Sequence, residues 1–63
     1  MKVRCKKNGG ISLTSGAIYE VIGIEYGWYR IIDDTDEDYL YSPETFDIVE
    51  GGPEDLDPSK IIE

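Results

Sequence analysis

The sequence predicts an all-β fold, a small barrel of five strands that is closed or nearly closed. Helical periodicity is not sustained anywhere along the 63 residues. The apolar positions are mostly isoleucine, tyrosine and valine, which favour strands. These residues fall in short runs separated by glycine, proline and acidic turn residues, the pattern expected of a small barrel.

Each strand has its own signal in the sequence. The first shows strict alternation, with Val3 and Cys5 on the apolar side and Lys2 and Arg4 on the other. The second is apolar on both faces, which predicts a strand that bends across the barrel, with Gly23 at the bend. The five expected strands are Lys2–Lys6, Ala17–Glu25, Gly27–Asp33, Asp38–Ser42 and Phe46–Val49.

Turn-forming residues connect these strands. Glu25-Tyr26-Gly27 predicts a tight hairpin, residues 34–37 a more open one, and Ser42-Pro43-Glu44-Thr45 a single 3-10 turn before the last strand. The composition changes at Gly51-Gly52-Pro53, so we expect a barrel over residues 1–50. Residues 51–63 are then expected to form an acidic, irregular tail.

The charge of the chain limits its partners. Fourteen acidic and six basic residues give a net charge of −8 and a pI near 4.2, which argues against direct binding to nucleic acid or an anionic membrane. The first ten residues carry four positive charges, whereas residues 33–50 carry eight negative ones. This asymmetry predicts oppositely charged strands side by side, and the basic residues of the first strand are interpreted as protection of a sheet edge.

The compartment and the chemistry are also constrained. Cys5 is the single cysteine, which favours a reducing cytoplasm, and it is expected to be buried. The longest apolar stretch, residues 17–24, is too short to cross a bilayer, and no signal peptide is recognised. Histidine is absent and no phosphate-binding glycine loop is present, so we expect no catalytic residues and no cofactor.

Three motifs resemble those of SH3 domains over about residues 2–50. They are Leu13-Thr14-x-Gly16-x-x-Tyr19-x-Val21, Gly27-Trp28-Tyr29 and Pro43-x-x-Phe46-x-x-Val49. The resemblance implies a groove for polyproline-II peptides lined by Trp28, Pro43 and Phe46, with Tyr41 as a rim aromatic. The aromatic opening motif of the family is missing from Met1–Lys6. SH3 domains usually have a buried aliphatic residue directly before the proline, whereas this chain has Ser42 there, so Leu40 is expected to take that core position.

The hypothesis is therefore an SH3-like module without enzymatic activity that binds a protein or peptide, one that is basic or contains proline. Its expected groove is Trp28, Tyr41, Pro43 and Phe46, and the alternative is that these aromatics simply fill the core. An acidic turn beside it would select basic residues. The turn consists of Asp33, Asp34, Asp36, Glu37 and Asp38.

Other interpretations remain open. The acidic turn matches a calcium-binding loop poorly, because Asp38 occupies the position that requires glycine, so no metal is expected. The chain is also similar to small acidic proteins of Gram-positive bacteria and their phages. An acidic effector that mimics nucleic acid and blocks a host DNA-binding protein is one alternative function. A structural accessory subunit of a larger assembly is another.

Overall fold

A computed structural model describes residues 1–6 and 12–63, and it is all-β. The strands are β1 Lys2–Cys5, β2 Ile18–Glu25, β3 Trp28–Ile32, β4 Asp38–Tyr41, β5 Phe46–Glu50 and β6 Ile61–Ile62. The described residues contain no α-helix, and Pro43–Thr45 forms the 3-10 turn predicted before β5. Each of the five predicted strands is confirmed to within one residue at either end.

The strands form one sheet in the order β4-β3-β2-β1-β5, with antiparallel pairing throughout this path. The short strand β6 lies outside the path and pairs in parallel with the end of β2. The ladder between described strands does not close, because β4 and β5 each pair on one side only. The arrangement is compatible with a small barrel-like fold.

Strand β1 lies between β2 and β5, so the interpretation of its basic residues as edge protection is wrong. Pairing with β5 sets Lys2 opposite Glu50 and Arg4 opposite Asp47. The Asp47 carboxylate lies 3.9 Å from Arg4 Nη2 and 3.8 Å from Lys6 Nζ. The expected charge complementarity between neighbouring strands is confirmed, although exposed pairs of this kind stabilise a fold only weakly.

Strand β2 bends where the sequence predicted it. Val21 pairs with Ile31 and Gly23 with Arg30, so one extra residue of β2 bulges between the two pairs. Val21 faces the core before the bulge, and Ile24 packs against the core after it. The bulge therefore changes which positions of β2 face inward, which explains a strand that is apolar on both faces.

The two predicted hairpin turns use left-handed backbone. Tyr26 and Gly27 have φ of 53° and 83°, as a two-residue type I′ turn requires, and this turn joins β2 to β3. Asp36 has φ of 65° in the longer turn between β3 and β4. There the Asp33 N–H donates to the Glu37 carbonyl and the Asp36 N–H to the Asp33 carbonyl.

The core is small and rich in aromatic rings. Rings of Tyr19, Tyr29 and Tyr41 surround Phe46, with centroids 6.3–6.4 Å from that of Phe46. Tyr41 packs against the core, so the expectation that Leu40 would do so is wrong. Within residues 1–6 and 12–63, the buried hydrophobic residues are Met1, Val3, Cys5, Leu13, Tyr19, Val21, Ile31 and Phe46.

The tail, residues 51–63, is held against the sheet at several points. It contains two further 3-10 turns, Pro53–Asp55 and Pro58–Lys60, and ends in β6, which the sequence did not predict. Leu56 packs against the core, and the Tyr26 N–H donates to the Ile62 carbonyl at 2.7 Å.

Candidate functional site

The four residues of the expected groove lie in different environments. Trp28 is 49% exposed at the start of β3, whereas Phe46 is only 5% exposed at the centre of the aromatic core. Tyr41 and Pro43 are partly buried, and Pro43 opens the 3-10 turn. Phe46 therefore fills the core instead of lining an exposed surface, while the indole of Trp28 is accessible.

Trp28 lies on the opposite side of β3 from the aromatic core. The next residue, Tyr29, packs against the core beside Phe46, and successive side chains of a strand point to opposite faces. Tyr41 pairs with Tyr29 and also contacts Phe46, so it shares the inner face. The structure thus separates Trp28 from the two core-facing aromatics that the SH3 resemblance grouped with it.

The outer face of the β2–β3 hairpin brings a different set of residues around the indole. Glu25 pairs with Trp28 on one side and with Ile62 of β6 on the other. Arg30 lies two positions after Trp28 and therefore on the same face. We call Glu25, Trp28, Arg30 and Ile62 the Trp28 face; Ile62, like Trp28, is exposed. Tyr26, in the turn at its end, is 72% exposed.

An ion-pair network fixes the polar part of the Trp28 face. Both Arg30 Nε and Arg30 Nη2 donate to the Glu25 carboxylate, the latter at 3.1 Å, and Arg30 Nη1 donates to Asp38 Oδ2 at 3.1 Å. The hydrogen bond from Arg30 lowers the pKa of Glu25, and the hydrogen bond to Glu25 raises the pKa of Arg30. Both groups stay charged near neutral pH, so the surface beside the indole is polar but internally paired.

Asp33, the first residue of the acidic turn, is buried and serves the fold. Its Oδ2 accepts a hydrogen bond of 2.6 Å from the Tyr41 hydroxyl, and its Oδ1 accepts from the hydroxyl and the N–H of Thr35. The Thr35 hydroxyl and then the Tyr41 hydroxyl lower the pKa of Asp33. Burial, followed by the hydrogen bond to Asp33, raises the pKa of Tyr41 to about 12.

Asp34, the second acidic residue, ties the turn to the loop before β2. Its carboxylate accepts from the Thr14 hydroxyl at 2.6 Å and from the Tyr19 hydroxyl at 2.8 Å. Its N–H donates to the Ser12 carbonyl at 2.8 Å, and the Tyr19 hydroxyl accepts from the Thr14 N–H at 2.7 Å. Burial is the main cause that raises the pKa of Tyr19. This carboxylate therefore links two connections of the sheet.

Like Asp34, the other three acidic residues of the turn, Asp36, Glu37 and Asp38, are exposed. Asp38 accepts from Arg30, and Glu37 accepts from the Tyr39 hydroxyl at 3.1 Å. Among the described residues, no group of three or more acidic or cysteine side chains is arranged to hold a metal ion. Of the five acidic residues of the turn, only Asp33 is buried.

Sequence reasoning missed an open groove of about 470 Å³ formed by the tail, here called the tail groove. Leu56 and Ile61 line it together with two prolines, and its charged lining residues are both glutamates. The lining residues are Pro53, Glu54, Leu56, Pro58, Ile61 and Glu63. The available signal was the presence of the aliphatic residues Leu56, Ile61 and Ile62, because segments that do not pack contain few such residues.

Comparison of the chain with protein-family models, curated proteins and solved structures found no match. Within residues 1–6 and 12–63, no helix has the length and apolar character needed to cross a membrane.

Proposed function

We propose that the chain is a protein-binding module without enzymatic activity, and that its contact surface is the Trp28 face. The partner is a peptide or protein surface that is basic or contains proline. The observation that carries this proposal is the exposure of Trp28, nearly half of whose surface is open to solvent. Tryptophan and tyrosine provide large contact areas at small entropic cost and dominate the binding energy of many interfaces.

Rigidity of the face supports the proposal. The type I′ turn sets the positions of Tyr26 and Trp28, and pairing on both sides holds Glu25 between β3 and β6. The Arg30 guanidinium is bonded to two carboxylates. A partner therefore meets a surface that is already ordered, which reduces the entropic cost of binding.

Charge supports a basic partner. A net charge of −8 attracts cationic segments at long range and repels acidic ones. The exposed aromatic side chains support a partner that contains proline. Tyr26 and Trp28 are both exposed, and polyproline-II segments bind to surfaces lined by aromatic residues.

The nucleic-acid mimic is the competing function, and the internal hydrogen bonds of Asp33 and Asp34 weigh against it. Such a mimic must present its carboxylates to the partner, whereas these two accept hydrogen bonds from side chains of the same chain. Binding by a mimic would also fall steeply with salt, since it replaces phosphate contacts.

The test is a calorimetric titration with two synthetic peptides that share a proline-rich centre and carry either arginines or glutamates at the ends. We expect the arginine peptide to bind and to shift the fluorescence of Trp28, the single tryptophan of the chain. Trp28→Ala is expected to weaken binding by about thirtyfold or more, as loss of a central aromatic contact does.

Tyr39→Ala is the matched control, because Tyr39 is equally exposed, at 51%, on the inner side of edge strand β4. It should bind like the wild-type chain. The proposal is wrong if both variants bind equally, or if Trp28→Ala loses its circular dichroism spectrum as a core variant would. Binding that depends only on salt and not on Trp28 would favour the mimic.

A further inference from the structure

The tail groove has the features of a second contact surface, separate from the Trp28 face. Ile61 pairs with Ile24, which packs against the core, whereas Ile62 pairs with Glu25 on the outer face. Alternation therefore points Ile61 and Ile62 to opposite sides of β6. The groove, which contains Ile61, and the Trp28 face, which contains Ile62, lie on different sides of the same short strand.

The walls of the groove are held in place without a ligand. Pro53 and Pro58 each open a 3-10 turn, and the proline ring restricts φ at both positions. Asp55 accepts a hydrogen bond from the Gly52 N–H at 3.0 Å, and Asp57 accepts from the Ser59 N–H at 3.0 Å. The second bond lowers the pKa of Asp57.

The groove is also anchored at its floor and at its far side. Leu56 packs against the core, and β6 is paired with β2. The groove is therefore part of the fold, and its volume of about 470 Å³ is sufficient for one or two apolar side chains.

The lining chemistry identifies the occupant. Proline, leucine and isoleucine favour an apolar side chain, while Glu54 and Glu63 favour a neighbouring cation. A second copy of this chain fits poorly, because two molecules of charge −8 repel each other and each would bring glutamates to the same groove. A segment of another protein in which leucine-like and lysine-like residues alternate satisfies both requirements.

We infer that the tail groove is a docking site for a basic, apolar segment of a partner protein, which inserts an aliphatic side chain and places a lysine or arginine beside Glu54 and Glu63. This site does not depend on the function proposed for the Trp28 face. It assigns a binding role to residues 53–63, which the sequence presents as an irregular tail.

The experiment is an amide NMR titration of the full chain with two eight-residue probe peptides, one alternating leucine and lysine and the other alternating leucine and glutamate. We expect the lysine peptide to shift the amides of Leu56, Ile61 and their neighbours in a saturable manner. The glutamate peptide should cause no saturable shift. The shifts should persist in Trp28→Ala, which separates this site from the Trp28 face.

Charge variants complete the test. Glu54→Gln with Glu63→Gln should weaken binding of the lysine peptide by about fivefold, as expected for two partly screened ion pairs. The matched control, Glu44→Gln with Glu50→Gln, makes the same change in net charge at exposed positions outside the groove and should bind within twofold of the wild-type chain.

Three results would overturn the inference. Equal binding of the two peptides would show that charge does not select the occupant of the groove. Equal loss of binding in the two double variants would show that the net charge attracts the lysine peptide and that Glu54 and Glu63 have no specific role. Shifts of the groove amides with protein concentration alone, without peptide, would show that a second copy covers the groove. The spectra themselves report whether each variant is folded, so loss of structure is not mistaken for loss of binding.

Discussion

Replacing Gly23 by alanine is expected to detach the end of the chain from β2. Gly23 is buried beneath the 3-10 turn that precedes β6, and a Cβ added there would stand 2.9 Å from the backbone carbonyl oxygen of Lys60. Ordinary van der Waals contacts begin at 3.4 Å, so this carbonyl must retreat by about 0.5 Å. A backbone group cannot escape by a rotamer change, and the whole turn has to move.

The cost of this movement falls on the docking of β6. Overpacking of this kind costs about 1–3 kcal/mol. If the cost is borne by the contact between the tail and β2, the equilibrium for local opening rises by about five- to 150-fold. Gly23 has no positive φ, so the substitution adds no backbone strain of its own.

Hydrogen exchange measures this opening at a single amide. The Tyr26 N–H donates to the Ile62 carbonyl at 2.7 Å, so its protection depends on docked β6. The Val21 N–H, which donates to the Met1 carbonyl at 2.9 Å, is the internal reference in the same strand. Relative to exchange at the Val21 amide, exchange at the Tyr26 amide should accelerate by about five- to 150-fold in Gly23→Ala.

Gly16→Ala is the control for a general loss of stability. Gly16 has φ of +85°, and an added Cβ would meet none of the atoms that the structure describes within 4 Å, so the substitution introduces strain without any contact to the tail. It should not raise the ratio of exchange at Tyr26 to exchange at Val21. An unchanged ratio in Gly23→Ala would refute the argument that the Lys60 carbonyl closes over Gly23.

Three further predictions concern the core and its hydrogen bonds. Phe46→Ala should cost about 3–5 kcal/mol, a third or more of the roughly 3–9 kcal/mol expected for a chain of this length. Urea unfolding should show a midpoint far below that of the wild type, and a midpoint close to the wild-type value would show that Phe46 is not central. The folded pKa of Asp33 lies below its unfolded value, so its hydrogen bonds stabilise the fold above the unfolded pKa, and this stabilisation is lost as the pH falls through the folded pKa. From pH 6 to 3, the free energy of unfolding in urea should therefore depend less on pH in Asp33→Asn than in Asp36→Asn. Equal pH dependence in the two variants would contradict this. The pKa of Tyr41 is raised to about 12. Above pH 10 this tyrosine ionises in the unfolded state before it ionises in the folded state, so the fold loses stability as the pH rises. The ultraviolet titration of tyrosine ionisation should lose its step at the highest pH in Tyr41→Phe but not in Tyr39→Phe.

The resemblance to SH3 domains led to correct positions for the elements but an incorrect picture of one aromatic residue. Pro43 opens a 3-10 turn and Phe46 begins the last long strand, as the motif implies. The motif does not specify which side of the strand Phe46 occupies, because that depends on how β5 meets β1 and on the three tyrosines that surround the ring. Membership of that family and the role of a groove remain predictions.

The acidic turn illustrates a similar limit. Its position and turn-forming character follow from local sequence, since aspartate favours turns and tolerates left-handed backbone, as Asp36 does. The Thr35 donors of Asp33 are local, two residues along the chain. The other donors to Asp33 and Asp34 could not be read from the local sequence, because Tyr41, Tyr19 and Thr14 lie 8, 15 and 20 positions away from their acceptors. A run of like charges therefore contains both exposed residues and residues that stabilise the fold.

By itself, the sequence determined the class of fold, the bounds of five strands, the bend of β2 at Gly23 and both hairpin turns. These features depend on alternation, strand propensity and turn geometry, which act between near neighbours. Tertiary structure decided that β1 lies between β2 and β5 and that Tyr41 packs against the core. It also decided that Trp28 is exposed on the opposite face from the core residue Phe46, and that residues 53–63 form a groove. Each of these depends on contacts between distant segments, and a two-residue strand such as β6 is specified by the edge it pairs with more than by its own residues.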